Sequence, residues 1–223
     1  MSNNFAILID GGFVRKKLES RIGNRIHRMT EEQLDCLINE IIEEFTLQRV
    51  NLYRIFYYDC LPLDDKAINP LSGDEIDFSA SDISRHNKSL FSNLSKKELF
   101  AMRMGQMSLN RNNWDLKKTA LKANRISGSE VTIKANDLNP NITQKGVDIK
   151  IGLDIATLAL KKQISKLILV TGDSDFIPAL KLARVEGLQI CMVTLGHSVF
   201  DGLKQHSDFL IEKEFNLESK KFI

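Results

Sequence analysis

The stretch Leu167–Phe176, LILVTGDSDF, decides the fold because it joins an apolar run to two aspartates separated by one serine. The run LILV followed by a turn is typical of a short strand that is buried on both faces of a parallel sheet. Asp173 and Asp175 then place like charges close together where that strand ends. Their repulsion is costly unless a cation, an arginine or a shifted pKa offsets it.

The start of the chain repeats this pattern. Phe5–Ile9 (FAILI) is a continuous apolar run that stops at Asp10, and two glycines follow. In open α/β sheets, ligands bind beyond the carboxyl ends of the strands, at the point where the strand order reverses. If the two strands are neighbours at that point, Asp10, Asp173 and Asp175 converge there.

Asp148 joins this group through the periodicity of a predicted helix, Val147–Lys161. It lies one and two turns before Ile151 and Ile155, which belong to the apolar stripe, so we expect it to point toward the sheet rather than to water. Asp154 lies at the edge of the same stripe. Periodicity leaves it either as an acid behind the site or as a surface ion-pair partner.

Short apolar runs alternate with helical patterns along most of the chain. The predicted strands are Phe5–Ile9, Val50–Tyr58, Gly105–Leu109, Val131–Lys134, Leu167–Thr171, Leu188–Leu195 and Phe209–Phe215. The predicted helices are Leu34–Phe45 with Thr30 as N-cap and Gln33 at capping-box spacing, Ser89–Met104, Val147–Lys161, Phe176–Glu186 and Ser198–Gln205. Leu61–Ser84 and Asn136–Lys145 are polar and are predicted to be loops. This alternation predicts right-handed βαβ units and an α/β, three-layer α/β/α Rossmann-like fold with a mostly parallel central sheet.

The overall composition sets wide limits. A chain of 223 residues fits one sizeable domain, here 1–223, with an insertion-like middle segment at about 61–141. A net charge of +2 neither requires nor excludes a polyanionic partner. The three cysteines are far apart and have no metal-site spacing, which favours buried free thiols in a reducing compartment. The four histidines are scattered and are expected at the surface rather than as metal ligands. There is no leader pattern and no apolar window of about 18 residues, so we expect a cytoplasmic protein without membrane contact.

Several carboxylates at one edge of a sheet need a positive partner. The sequence assigns no arginine or histidine to that edge. Oxygen ligands favour a hard divalent cation, Mg²⁺ or Mn²⁺. In phosphodiester hydrolysis such a cation lowers the pKa of a bound water and neutralises charge on the phosphate. Hydroxyls of Thr171 and Ser174 are available to orient a water or a phosphate, and the backbone amides after Gly172 are available to an anion.

At these residues the chain resembles the NYN domain family of PIN-like nucleases, in its LabA-like branch. The matching motifs are ILIDGGF near the start, FYYD at Phe56–Asp59, KGVDIKIGLDI at Lys145–Ile155 and LILVTGDSDFIPALKLARVEG at Leu167–Gly187. The tail segments GLQICMVTLG and LKQHSDFLIE also fit, whereas Leu61–Asn141 matches poorly.

The resemblance implies a PIN-like fold and a metal-dependent endoribonuclease acting on single-stranded or flexible RNA. The family's catalytic and metal-binding acids correspond to Asp10, Asp148, Asp173 and Asp175. Asp154 matches a frequent additional acid, so the resemblance favours a place for it behind these four acids over a plain surface position. Substrate contacts are expected from Gly11, Gly12, Thr171, Ser174 and Lys145. Some relatives carry asparagine three residues after the first aspartate, and this chain has Phe13 there.

Simpler interpretations remain open for each acid. Asp10 could be a turn former, one of Asp173, Ser174 and Asp175 could cap the following helix, and Asp148 could be an N-cap. Asp59 is better explained as the start of a loop than as part of the site.

Basic residues leave a similar choice. Ser95–Lys97 and Arg111–Arg125 with Trp114 could follow a nucleic-acid backbone, or they could form a solvated helix with Trp114 in the core.

Two other functions compete with the nuclease. One is an RNA- or nucleotide-binding regulatory module with little or no turnover. The other is a phosphohydrolase with an aspartyl nucleophile, although its DxD pattern usually follows the first strand, where this chain has Asp10-Gly11-Gly12. The sequence is compatible with homo-oligomerisation and does not set the number of subunits.

Overall fold

The computed structural model of the chain describes residues 3–22, 25–45, 50–124 and 132–223. The chain divides into two compact units. The first unit comprises Met1–Asp59, Ser89–Gly105 and Gly146–Ile223, and the second comprises Cys60–Lys88 and Gln106–Lys145.

Strands and helices are numbered in chain order. The strands are β1 (Asn4–Asp10), β2 (Ser20–Ile22), β3 (Arg25–His27), β4 (Asn51–Cys60), β5 (Lys66–Ile68), β6 (Glu75–Asp77), β7 (Phe100–Leu116), β8 (Leu138–Lys145), β9 (Lys166–Val170), β10 (Gln189–Val193), β11 (Phe209–Ile211), β12 (Phe215–Asn216) and β13 (Lys221–Phe222). The helices are α1 (Gly11–Leu18), α2 (Glu31–Glu44), α3 (Asp82–Leu94), α4 (Lys118–Asn124), α5 (Val147–Leu160), α6 (Ile177–Val185) and α7 (Asp201–Gln205). Ala135–Asp137 and Ser174–Phe176 form 3₁₀ turns.

The sheet of the first unit has the strand order β11-β10-β9-β1-β4, and all of these neighbours run parallel. On its far side β4 is followed by β7, which continues into the second unit. From β1 the chain proceeds to β4 on one side, and from β9 it proceeds to β10 on the other. The strand order therefore reverses between β1 and β9, where Ile9 lies opposite Val170 and places Asp10 and Thr171 at the same edge.

The core of the first unit follows from the apolar runs seen in the sequence. Every residue of Phe5–Ile9 is buried, as the pattern of a strand covered on both faces predicts. Thr30 and Gln33 form the predicted capping box at the start of α2, whose residues Leu34 and Leu37 are fully buried. The predicted α/β fold, with a mostly parallel central sheet flanked by helices, is confirmed.

The second unit contains two antiparallel pairs where the sequence predicted loops. β5 and β6 form a short ribbon inside Leu61–Ser84. β8 occupies most of Asn136–Lys145 and pairs with β7, from Gln106 opposite Lys145 to Leu116 opposite Leu138. The loop prediction holds for most of Leu61–Ser84 apart from this ribbon and the start of α3. It is wrong for Asn136–Lys145, because backbone hydrogen bonds to a neighbouring strand can hold a largely polar segment extended.

The predicted helix Ser89–Met104 is also wrong in its bounds. α3 begins earlier, at Asp82, and ends at Leu94. The chain then turns at Leu99, which has a positive φ of 55°, and Phe100 starts β7, which contains the predicted strand Gly105–Leu109. Of the predicted strand Val131–Lys134, Val131 lies outside the described residues and 132–134 are irregular.

The three cysteines are free thiols. Cys60 and Cys191 are buried, and Cys36 is partly buried. Among the helices of the described residues, none combines the length and the apolar character needed to cross a membrane.

Candidate functional site

Asp10 connects the ends of two neighbouring strands. Its Oδ1 accepts a hydrogen bond from the backbone N–H of Phe13 at 3.0 Å, so Asp10 is the N-cap of α1. Its Oδ2 accepts a hydrogen bond from the Thr171 hydroxyl at 3.1 Å, beyond the end of β9. The turn-former interpretation is therefore correct for one oxygen, and the other oxygen reaches across to the second strand.

Thr171 and Asp173 continue this network. The buried Thr171 hydroxyl also accepts a hydrogen bond from the backbone N–H of Asp173 at 3.2 Å. Asp173 caps the 3₁₀ turn that follows, because its Oδ1 accepts a hydrogen bond from the N–H of Asp175 at 2.9 Å. The Thr171 hydroxyl thus fixes the positions of Asp10 and Asp173 relative to one another.

Asp148 is exposed, so the prediction that it points toward the sheet rather than to water is wrong. Val147, one residue earlier, takes the buried position in the first turn of α5. Gly146, with φ of 82°, precedes the helix and supplies no side-chain cap.

The pKa values nevertheless show that the acids interact. Loss of hydration raises the pKa of Asp148, and the negative charges of Asp173 and Asp175 raise it further. Burial also raises the pKa of Asp10, hydrogen bonds from Phe13 and Thr171 oppose that rise, and the charge of Asp148 adds to it. Asp10, Asp148, Asp173 and Asp175 therefore share one region of unfavourable negative charge.

A cavity of about 590 Å³ opens beside Asp10 and Asp173. Its walls are formed by Asp10, Phe13, Lys16, Lys17, Thr171, Gly172, Asp173 and His197. Sequence reasoning did not include Lys16, Lys17 or His197, because the helix α1 that carries the lysines was not predicted. Two features of the sequence could have pointed to these residues. Lys16 and Lys17 follow Phe13 by three and four residues, the spacing of one helical face, and His197 lies just beyond β10.

The acid group fits a divalent cation by its chemistry. Its donors are carboxylate oxygens, and no ion pair found within the described ranges involves any of the four acids. However, the described residues contain no group of three or more His, Cys, Asp or Glu side chains arranged to hold a metal ion. The described residues thus provide carboxylate oxygens and negative charge suited to a divalent cation, but their side chains are not arranged as a complete set of metal ligands.

The remaining expected substrate residues have varied surroundings. Gly11 is buried, and a Cβ at this position would lie 2.4 Å from Cζ of Tyr57, so glycine is required there by packing. Gly12 and Ser174 are partly buried. Lys145 is exposed at the end of β8 and belongs to the second unit. Their contacts with substrate stay predictions.

Asp154 acts as an ion-pair partner within the first unit. One of its carboxylate oxygens, Oδ2, accepts hydrogen bonds from the Tyr58 hydroxyl at 2.9 Å and from Nε of Arg103 at 3.0 Å. This favours the ion-pair alternative for Asp154 over a role beside the four acids.

Asp59 does not start a loop, and that interpretation is wrong. It lies inside β4, is 1% exposed and forms two hydrogen bonds with Arg15, at 2.7 and 2.8 Å. The pairing could not be foreseen because Arg15 belongs to α1, which the sequence did not predict.

The two basic stretches are partly neutralised by acids of their own unit. Lys97 contacts Glu31 at 2.9 Å and Asp35 at 2.7 Å in the first unit. Arg111 contacts Asp65 at 2.6 Å in the second. Trp114 is partly buried on β7 rather than on a helix.

Comparison with known families identifies the class of protein that this fold and site define. The profile of the NYN domain matches residues 76–212, more than half of the 223 residues. The chain belongs to the NYN domain family. The matched region includes Asp148, Asp173 and Asp175, whereas Asp10 precedes it.

Individual relatives are distant. The chain is 27% identical over 84 residues to "Uncharacterized protein MJ0482" of Methanocaldococcus jannaschii, which covers 37% of this chain and 35% of that protein. The chain thus aligns with only about a third of the length of that curated relative. The crystal structure of a protein of unknown function, VPA0982 from Vibrio parahaemolyticus, has a TM-score of 0.48 and 12% identity, over 99% of this chain and 96% of that one.

Proposed function

We propose that this protein is a metal-dependent endoribonuclease that hydrolyses phosphodiester bonds in single-stranded or flexible RNA, and that it acts in the cytoplasm. The observation that carries the proposal is that Asp10 and Asp173, joined through the Thr171 hydroxyl, lie at the edge where the strand order reverses, and that the charges of Asp173 and Asp175 act on Asp148. Burial raises the pKa of both Asp10 and Asp148, neighbouring carboxylates raise it further, and a bound cation would offset that cost.

Asp10, Asp148, Asp173 and Asp175 would hold a Mg²⁺ or Mn²⁺ ion. When bound, the ion supplies a water of lowered pKa and neutralises negative charge that develops on the phosphate. The chain itself sets the positions of the acids. The N–H of Phe13 and the hydroxyl of Thr171 orient Asp10, and the same hydroxyl holds the backbone of Asp173.

The remaining acids are accessible to solvent. Asp148 and Asp175 are exposed, so either can pass a proton from the attacking water to the solvent. Lys16 and Lys17 border the same cavity and provide positive charge for the RNA backbone.

The test measures cleavage of an end-labelled single-stranded RNA of mixed sequence in Mn²⁺, in Mg²⁺ and in EDTA. We expect metal-stimulated products from the wild type, and a rate at least about 100-fold lower for Asp10→Asn and Asp173→Asn, since charge stabilisation worth several kcal/mol is lost. Asp201→Asn is the matched control, because Asp201 is an exposed aspartate in the first turn of α7. Equal rates for the wild type and both site variants would reject the assignment.

The binding module without turnover is kept as a second candidate for one reason, namely that the described residues contain no finished metal-ligand group. Thermal unfolding with and without Mn²⁺ separates the two functions. A metal site raises the melting temperature of the wild type, and raises it less in Asp173→Asn. RNA binding without metal-dependent products, and without metal-dependent stabilisation, would favour the binding module.

A further inference from the structure

We propose that Phe13 and His197 form a stacking subsite for one base of a single-stranded RNA, and that Lys16 and Lys17 hold the adjoining phosphate. The proposal rests on the function proposed above, since it assumes RNA as the ligand.

The two rings stand together on the wall of the cavity beside Asp10. The ring centroids of Phe13 and His197 are 6.0 Å apart, with an angle of 74° between the ring planes. Phe13 is partly buried and His197 is exposed, and both rings line the same cavity as Asp10 and Asp173. A base that stacks on this aromatic pair therefore lies in the same cavity as Asp10 and Asp173.

Gly172 is what allows both rings to take these positions. A Cβ added at residue 172 would lie 2.5 Å from Cδ2 of His197 and 2.9 Å from Cε2 of Phe13. Any side chain there would push the rings apart. The glycine of the TGDSD motif thus keeps this aromatic pair against the end of β9.

Positive charge lies directly beside the aromatic pair. Nζ of Lys17 is 5.9 Å from the ring centroid of Phe13, and Lys16 and Lys17 are both exposed on the cavity wall. Arg15, on the same helix, is already paired with Asp59, whereas no ion pair within the described part of the chain involves Lys16 or Lys17. Unpaired cations next to an aromatic face are how proteins hold single strands without reading the sequence.

The test measures binding rather than cleavage, so that it does not depend on catalysis. A short single-stranded RNA containing 2-aminopurine is titrated with the full chain in EDTA, by fluorescence anisotropy and by quenching of 2-aminopurine. Phe13→Leu keeps an apolar side chain and removes the ring face. We expect about 5- to 150-fold weaker binding and less quenching, which is the range for loss of one stacked base. Phe13→Tyr keeps a ring and should retain the affinity.

The chain offers a closely matched control in Phe209→Leu. Phe209 is 48% exposed and has Nζ of Lys166 at 5.6 Å from its ring centroid, an arrangement similar to that of Phe13 and Lys17. Phe209 is the first residue of β11 and Lys166 is the first residue of β9, so the pair lies toward the amino ends of the parallel strands, away from their carboxyl ends. The substitution of Phe209 should leave RNA affinity unchanged.

The outcomes separate this proposal from the proposed function. Equal affinity of wild type and Phe13→Leu, together with metal-dependent cleavage by the wild type, would reject the stacking subsite and keep the nuclease. Loss of affinity in Phe13→Leu without any cleavage by the wild type would support the subsite in a binding module. Failure of the wild type to bind this RNA in EDTA would reject the stacking subsite, whereas the nuclease is judged by the cleavage assay in Mn²⁺. An RNA with an abasic nucleotide at the quenched position should bind wild type and Phe13→Leu equally, and a difference that persists would contradict stacking.

Discussion

The buried ion pair between Arg15 and Asp59 allows a quantitative prediction about how α1 is held against the sheet. Arg15 lies on α1, and Asp59 lies near the end of β4. The Asp59 side chain is 0% exposed and the Arg15 side chain is 17% exposed. The substitution Asp59→Asn keeps the shape of the acid, removes its charge and leaves the guanidinium in a partly dehydrated position.

The expected loss follows from the burial of the pair. Breaking a buried pair by removing one partner typically costs about 3–5 kcal/mol, and because Arg15 retains some contact with water we expect about 3 kcal/mol. For a chain of this size, each kcal/mol corresponds to about 2–4 °C in melting temperature, so the midpoint should fall by about 6–12 °C. Arg15→Met alone should also destabilise the fold, because the buried Asp59 carboxylate loses its guanidinium partner.

The measurement is urea unfolding of the wild type, both single variants and the double variant. We expect the double variant to lose less free energy of unfolding than the sum of the single losses, by about 1–3 kcal/mol. Glu212→Gln is the control, since Glu212 pairs with Lys204 at 2.9 Å with both side chains 40% exposed, and should cost less than about 1 kcal/mol. A loss for Asp59→Asn that is no larger than the loss for Glu212→Gln would refute the argument from burial.

Two further predictions concern residues that surround the acids. Gly11→Ala should lower the free energy of unfolding by about 1–3 kcal/mol in the same assay, because the added Cβ would lie 2.4–2.6 Å from atoms of the fully buried Tyr57 ring; an unchanged midpoint would contradict it. Asp154→Asn should reduce metal-stimulated RNA cleavage by less than about tenfold, because Asp154 contacts Tyr58 and Arg103; a loss as large as that of Asp173→Asn would place it among the essential acids.

The parallel sheet and the location of the acids could be predicted because they depend on short-range patterns. A strand buried on both faces of a parallel sheet is apolar along its length, so Phe5–Ile9 and Leu167–Val170 can be recognised as such strands from the sequence. Parallel strands have their carboxyl ends at the same edge of the sheet. The residue that follows each apolar run can therefore be assigned to that edge without knowledge of side-chain contacts. Asp10 was therefore expected at the same edge as the acids that follow Leu167–Val170, and the two strands are neighbours there, with a hydrogen bond of 3.1 Å between Asp10 and Thr171.

The strands of the second unit could not be predicted from local sequence patterns, because their extended form depends on pairing with neighbouring strands. β8 is largely polar and lacks a regular alternation of apolar residues. Its extended form comes from the ladder that it shares with β7, which includes a register shift between Asn110 and Trp114. Nothing in LNPNITQK specifies that ladder. The direction of Asp148 was also missed, because periodicity gives the average face of a helix and the first turn need not follow it.

Helix α1 was missed as well, and it carries most of what distinguishes this site. It is a short helix with few apolar positions, and its first turn depends on the cap that Asp10 provides. The same helix presents Phe13, Lys16 and Lys17 to the cavity and is attached to β4 through Arg15. Loosening this attachment should therefore weaken RNA binding together with stability, whereas Phe13→Leu should weaken binding with little change in the melting temperature. Asp59→Asn and Phe13→Leu thus distinguish two roles of α1. In one role α1 binds a base through Phe13, and in the other it only keeps Asp10 in place.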